Sequence, residues 1–198
     1  LLKKAHPLMK IYREEKRAAL FDFLEKDSHE EGQRRRILAA PPLFVIPQEV
    51  LKQILAENGI SRQECAGILK AHAREQRRIE SILTHSQVID ELSQVTKAEY
   101  EKYPAVLPVA ECFLEKDILL TYQEYRTCVE AAMAYADVHK NYQFSLIKAK
   151  GFHNIQITCR MEKWCMVSKN KTPSIHFVIH HPKLRYALEN MILPIRDS

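Results

Sequence analysis

Glycine is scarce in this chain, with four residues among 198. Loops that cradle nucleotide phosphates need several closely spaced glycines. The composition therefore argues against a phosphate-binding glycine loop. No other catalytic signature of fixed spacing is present, so we expect a protein that is not an enzyme and that needs no cofactor.

Long apolar runs are also missing, since none approaches the roughly 18–20 residues that a membrane helix needs. The N-terminal segment LLKKAHPLMKIY lacks an initiator methionine and the long apolar core of a signal peptide. We therefore expect a cytoplasmic protein with no membrane partner. We also expect that the chain is a fragment of a longer protein.

Cysteine occurs five times, without the close CxxC spacing of zinc or redox motifs. Reduced thiols are the expected state, because disulfides are rare in cytosolic proteins. Cys159 and Cys165 flank a predicted hairpin turn, so a disulfide between them is the alternative.

The charge changes sign along the chain. From Lys97 to Asp137 there are four Lys or Arg against eight Asp or Glu, whereas from Lys140 to the end there are ten against three. The basic segment contains four β-like runs, YQFSLIKA, NIQITCR, WCMVSK and SIHFVI, followed by a helical run that begins at Pro182. The residues before this basic segment have patterns that predict helices. The sequence thus predicts an α+β fold with a helical region over 1–103 and a small, mostly antiparallel sheet packed with helices over 104–198.

Apolar periodicity and capping residues predict the helices of the first region. They cover 7–27, a short segment opening at Arg34–Arg36, 48–57, 62–83 and a short helix after Thr96; a further one runs from Thr121 to about His139. Ser61 with Glu64 has the spacing of a capping box. Asn58-Gly59 is typical of a helix end, because glycine adopts the left-handed cap conformation at little cost.

Residues 50–69 have the outline of a helix-turn-helix, in which Arg62, Gln63 and Lys70 would approach DNA. The arginines at 34–36 could add to such a surface. Leu55 stands where two closely crossing helices normally carry a small residue, and the second helix is long. A plain helical hairpin is therefore the preferred interpretation.

Histidines and aromatic residues of the basic segment supply the candidate ligand-binding residues Trp164, His176, His180 and Lys163. His176 and His180 share one face of a strand, because side chains alternate. With Cys159 or Cys165 they could hold a metal. Either cysteine could also form a nucleophile–base pair with His153 or His176. No spacing is specific for either, and His180-His181 before Pro182 also fits a plain strand-to-helix turn. We predict no metal ligands and no catalytic residues.

The runs KWCMVSKNKTPSIHFVIHHPKLRYALENM and YEKYPAVLPVAECFLEKDILLTYQEY resemble the C-terminal half of helix-turn-helix (XRE-type) transcriptional regulators of Gram-positive anaerobic bacteria. In that family a short DNA-binding domain precedes a helical region and a C-terminal α+β region. The resemblance implies that the DNA-reading residues would lie before Leu1. It transfers no ligand-binding residue.

The sequence thus predicts the sensing or dimerising portion of a bacterial transcriptional regulator. Its expected partners are a second copy of the chain, a small-molecule effector, and DNA through a module outside this chain. The alternatives are a Cys/His-dependent or metal-assisted enzyme, and direct nucleic-acid binding through residues 50–69.

Overall fold

The computed structural model describes residues 8–109, 116–148 and 153–192. They form an α+β fold, as predicted, in which helices pack against one sheet. The strands of these ranges are β1 (Met9–Tyr12), β2 (Arg34–Leu38), β3 (Val88–Ser93), β4 (Tyr142–Ile147), β5 (Ile155–Arg160), β6 (Trp164–Lys169) and β7 (Ile175–Ile179). The helices are α1 (Arg17–Ser28), α2 (Gln48–Glu57), α3 (Arg62–Leu83), α4 (Lys97–Lys102), α5 (Tyr122–Val138) and α6 (Pro182–Ile192).

The seven strands form one mixed sheet in the order β1-β7-β6-β5-β2-β3-β4. Strands β2, β3 and β4 run parallel to one another, and the remaining neighbours are antiparallel. Strands β1, β2 and β3 come from the region that the sequence predicts to be helical, so that part of the prediction is wrong. Strands from both predicted regions contribute to the same sheet.

The predicted helix over 7–27 is corrected at its N-terminal half. Residues 9–12 are strand β1, which pairs with β7 from Met9 opposite Ile179 to Tyr12 opposite His176. Helix α1 begins only at Arg17, after a 3-10 turn. Tertiary structure overrides the helical pattern here, because the backbone of this short segment gains inter-strand hydrogen bonds when it pairs with the edge of the sheet.

The predicted helix at Arg34–Arg36 is also wrong, since these residues open strand β2. All five residues of β2 are buried, and the strand pairs with β3 on one side and β5 on the other. Three consecutive arginines normally indicate a solvated helix surface. Here buried carboxylates compensate their charge, which a linear pattern does not reveal.

The remaining helix predictions are confirmed. Ser61, Thr96 and Thr121 each accept a hydrogen bond from the third residue of their helix and complete a capping box. Gly59 has φ of 62°, the left-handed conformation expected after α2. The four predicted strands of the basic segment and helix α6 are present as well. Ala149, the last residue of the run YQFSLIKA, lies outside the described residues.

The two faces of the sheet differ in what covers them. Val178, Met166, Thr158, Arg36 and Asp90 are register partners across five neighbouring strands, and they define the inner face. Apolar residues of α1 pack on β6 and β7 of this face, and those of α3 and α5 pack on β3 and β4. On the outer face Ile192 of α6 packs on Ile37 and Ile157. Helices α1, α3 and α5 therefore cover the inner face.

Cys159 and Cys165 form a disulfide, whereas the sequence led us to expect reduced thiols. The two residues are directly opposite on β5 and β6, with their Cα atoms 4.2 Å apart. Both are buried on the outer face. Cys65 and Cys128 are free thiols, and Cys112 lies outside the described residues.

Candidate functional site: a charged pocket under α1 and α3

A buried ion pair lies at the centre of the inner face. Nε and Nη2 of Arg36 donate to Oδ1 and Oδ2 of Asp90, each at 2.6 Å. The Tyr142 hydroxyl donates to the same carboxylate at 2.8 Å. Parallel pairing of β2 with β3 brings Arg36 beside Asp90, although 54 residues separate them. Bidentate hydrogen bonds between an arginine and a carboxylate are among the strongest hydrogen bonds in proteins.

The protonation states of this cluster follow from its surroundings. Burial is the largest single influence on Arg36 and opposes its charge. The attraction of Asp90, its hydrogen bonds and the attraction of Glu75 and Tyr142 together exceed that effect, so the pKa of the guanidinium lies above its ordinary value. Burial, and then the Asp90 carboxylate, raise the pKa of Tyr142. The arginine is thus charged and the tyrosine hydroxyl protonated over the whole physiological range.

A second charged cluster surrounds Asp27 at the end of α1. Its carboxylate accepts from Arg34 at 3.1 Å, Arg160 at 2.7 Å and the Trp164 indole at 2.8 Å. Burial lowers the pKa of Arg34, and the attraction of Asp27 partly offsets that shift. Through Asp27 the cluster joins α1 to strands β2, β5 and β6.

Helix α3 carries the third part of the charged network. Glu75 Oε1 lies 3.8 Å from Arg36 Nη1 and 3.9 Å from Arg78 Nη2. The side chains of Glu75 and Arg78 are 13% and 11% exposed. The network therefore extends from the sheet to the helix that covers it.

These clusters border a cavity of about 80 Å³ between the sheet, α1 and α3. Polar and apolar side chains line it together, and the polar ones include Arg34, Arg36, Glu75, Arg78, Asn170 and His176. Nδ1 of His176 lies 2.8 Å from the Ser168 hydroxyl. Nδ2 of Asn170 is buried and has no hydrogen-bond partner among the described residues. Small polar cavities of this kind hold water or a compact ligand.

The predicted ligand-binding residues are divided between the cavity and other places. Trp164 and His176 both line the cavity. Lys163 is exposed in the turn between β5 and β6. The His180 ring lies edge-on to Phe23 at 6.1 Å. The structure therefore brings together two of the four, and their role in ligand binding stays a prediction.

Sequence reasoning missed Arg34, Arg36, Glu75, Asp90 and Asn170. One signal was available, because Asp90 and Glu91 interrupt the run VIDEL, which is otherwise compatible with a buried strand. A charged residue in a buried strand needs a partner of opposite sign. The arginines at 34–36 were the available cations.

A second cavity, of about 230 Å³, lies where the parallel strands β2 and β3 end. Its walls are mainly apolar, and the Tyr103 and His153 rings stack in it at 4.5 Å. The exposed residues Lys102 and Lys171 also border it. We regard the smaller cavity as the stronger candidate, because buried charge converges on it and charge is costly to bury without function or compensation.

The alternatives from sequence have less support in the described ranges. No group of three or more His, Cys, Asp or Glu there could hold a metal ion. The disulfide occupies both thiols proposed as nucleophiles, Cys159 and Cys165. Arg62, Gln63 and Lys70 are exposed on α3, whereas the arginines at 34–36 are buried. Those three arginines are thus not available to nucleic acid.

No helix within the described ranges is both long and apolar enough to cross a membrane. Comparisons with family models, with curated proteins and with solved structures find no match to this chain.

Proposed function

We propose that this chain is the ligand-sensing portion of a bacterial transcriptional regulator, and that the cavity under α1 and α3 is its effector site. One observation carries the proposal, namely a cavity lined by buried charged groups that belong to the sheet, to α1 and to α3. A ligand that fills this cavity would contact the sheet, α1 and α3 together, so its binding would affect how they pack. A merely structural ion pair needs no cavity beside it.

Helix α1 is the element through which binding would act. Leu24 and Asp27 of α1 line the cavity, and Asp27 holds Arg34, Arg160 and Trp164. A ligand that competes for those cations would weaken the hold on α1. It would therefore favour one packing of α1 over another, which is all that coupling between two sites requires. In a dimer, that change would alter the spacing of two DNA-binding heads.

Trp164 offers a direct assay of ligand binding, because it is the only tryptophan and lines the cavity. When the protein is titrated with a panel of small metabolites, the one that is the effector should change the fluorescence of Trp164. His176→Ala should weaken that response at least tenfold, because it removes a side chain from the wall. Lys163→Ala is the control and should respond like the wild type, since Lys163 is exposed away from the cavity.

Regulation is tested on the natural full-length protein. The effector found by fluorescence should change the affinity for operator DNA by about 5–150-fold, the usual range of allosteric coupling. His176→Ala should remove that change and leave DNA affinity without effector as it is. A response to effector that His176→Ala and Trp164→Phe leave intact would show that the cavity is not the sensing site.

The dimer is part of the same proposal. Light scattering on the purified chain should give about twice the mass of 23.1 kDa. A monomer at every concentration would limit the proposal to ligand sensing.

Direct nucleic-acid binding is the second candidate, because Arg62, Gln63 and Lys70 are all exposed on α3. It requires that this chain alone binds DNA or RNA at low salt, with an affinity that falls steeply as salt rises. Arg62→Ala and Lys70→Ala should each reduce that affinity.

A further inference from the structure

We infer that the exposed edge of strand β4 joins two copies of this chain, so that their seven-stranded sheets continue into each other around a two-fold axis. The inference rests on the proposed function, of which a dimer is one part, and it adds the surface that holds the two copies together. Three observations carry it: the backbone of β4 that faces away from the sheet, the residues that this edge lacks, and the flank of helix α5 beside it.

The backbone of β4 is paired on one side. The N–H of Gln94, just after β3, donates to the carbonyl of Ile147 at 2.8 Å, so Ile147 directs its backbone groups toward β3. Because this direction alternates along a strand, Phe144 and Leu146 direct theirs away from β3. Strand β4 is the last in the strand order. The N–H and C=O groups of Phe144 and Leu146 therefore have no partner strand within the described ranges.

The β4 edge also lacks the features by which sheet edges avoid pairing. Such edges usually carry charged side chains, a proline or a bulge. The six residues of β4, YQFSLI, include no charged residue and no proline, and they pair with β3 without interruption. The opposite edge, β1, has four residues, and one of them is Lys10. Of the two edges, β4 is thus the one suited to pairing.

Helix α5 offers a second contact on the same side of the molecule. Burial, and then the Glu80 carboxylate of α3, raise the pKa of Tyr135, so Tyr135 marks the flank of α5 that faces α3. Met133 lies two residues earlier, which is about 200° around a helix of 3.6 residues per turn. It therefore faces away from α3, toward the side on which the sheet ends at β4. Met133 is 50% exposed and Leu146 is 39% exposed, and a dimer formed here would bury both.

One two-fold axis is compatible with both contacts. If the axis passes through Phe144, the backbone of Phe144 pairs with its own copy, and Leu146 pairs with Tyr142 of the second copy. The Phe144 ring packs on the apolar clusters that contain Val129 and Ala132, near the middle of α5. The same axis therefore relates two antiparallel α5 helices about their middle.

The charges on this flank of α5 favour a second copy as the partner. Arg126 lies two turns before Met133 and Asp137 one turn after it, so the three residues share one flank. Both charged residues are exposed, and Arg126 approaches Glu130 of its own helix at 3.3 Å. Around an axis midway between them, Arg126 of each copy approaches Asp137 of the other. The two copies thus complement each other in hydrogen bonds, apolar surface and charge.

The test measures the dissociation constant of the dimer by sedimentation equilibrium on the purified chain. Leu146→Pro removes the outward N–H and leaves the bonds between β4 and β3 in place, and proline is tolerated on edge strands. It should raise the dissociation constant by about tenfold or more, because each copy loses a hydrogen bond to the other. Leu146→Val is the matched control, since it keeps the N–H and an apolar side chain, and it should associate as the wild type does. Should Leu146→Pro fail to fold, Leu146→Lys carries the same test, because lysine on an edge opposes pairing.

Further variants test the helix contact and the opposite edge. Met133→Lys should weaken the dimer, because it places a charge between the two copies. Val138→Lys is its control and should have no effect, since Val138 is 76% exposed and lies one turn after Tyr135 on the flank that faces α3. Ile11→Lys should also have no effect, because Ile11 is on β1, at the other edge of the sheet.

A wild type that is monomeric at every concentration would overturn the inference. A dimer that persists in Leu146→Pro and Leu146→Lys would do so as well, and disruption by Ile11→Lys alone would place the interface at β1. A persistent dimer of this kind would leave the proposed function intact and remove only this interface. Conversely, a dimer that depends on β4, but in which no ligand changes Trp164 fluorescence, would keep this interface and remove ligand sensing.

Discussion

At the scale of single residues, the pair of Arg36 and Asp90 should dominate the stability of the sheet. Asp90→Asn leaves the guanidinium buried without its main counter-charge, and breaking a buried pair in this way costs about 3–5 kcal/mol. Urea unfolding should show that loss in the free energy of unfolding. Tyr142→Phe is the control, since it removes only one hydrogen bond to the carboxylate and should cost about 1.5–3 kcal/mol.

A double variant separates the pair from its surroundings. Arg36→Met combined with Asp90→Leu removes both charges and should be more stable than Asp90→Asn alone, because apolar residues often replace a buried ion pair without loss. A double variant less stable than the single one would mean that Asp90 acts mainly through Tyr142 or packing.

His72 makes a second prediction at this scale. Its ring Nε2 lies 2.8 Å from the Ile46 carbonyl and donates to it, and burial lowers its pKa below the ordinary value. As the pH falls, the His72 ring therefore becomes protonated at a higher pH in the unfolded chain than in the folded protein. The contribution of His72 is complete above its unfolded pKa of about 6.5 and is lost as the pH falls below that value.

The measurement is the melting temperature of the wild type and of His72→Gln between pH 8 and pH 5. Glutamine also donates an N–H but does not titrate. The wild type should lose stability more steeply on acidification than His72→Gln. Parallel curves for the two proteins would contradict the prediction.

At the scale of elements, the N-terminus of α5 should depend on Thr121. The Thr121 hydroxyl accepts from the Glu124 amide at 3.2 Å, and Glu124 accepts from the Thr121 amide at 2.6 Å. Thr121→Ala removes the cap and should cost about 1 kcal/mol, within the usual 0.5–2 kcal/mol. Thr127→Ala on the same helix is the matched control, because its exposed hydroxyl bonds only within the helix. It should be neutral or slightly stabilising, since alanine is the better helix former.

At the scale of the whole molecule, the sheet should make folding cooperative. Strand β1 pairs with β7, and β2 lies between β5 and β3. Residues 1–103 and 104–198 thus contribute interleaved strands, and neither part forms the sheet alone. Unfolding followed by Trp164 fluorescence and by circular dichroism at 222 nm should give one coincident transition.

The same experiment tests the predicted boundary at residue 103. Trp164 belongs to the second region, whereas most of the helix signal of the first region comes from α2 and α3. Two separate transitions would establish two domains at that boundary. Separately expressed 1–103 and 104–198 should remain unfolded if the sheet is one cooperative unit.

The sequence by itself determined the elements whose signals are local. Capping boxes at Ser61, Thr96 and Thr121 and the Asn58-Gly59 stop depend on neighbours within four residues, so they predict helix ends correctly. Strands β4 to β7 and helix α6 were predictable for the same reason. The α+β class follows from these local patterns.

Only the tertiary structure decided how the charged residues are used. Arg34–Arg36 form a buried strand because partners 54 residues away lie beside them in a parallel sheet and neutralise Arg36. Likewise, the 7–27 pattern reads as one helix until pairing with β7 takes Met9–Tyr12 into the sheet. Trp164 and His176 were predictable as candidates by residue type. The cavity residues contributed by α1 and α3 were not predictable, because contacts between distant segments produce no periodic pattern in the sequence.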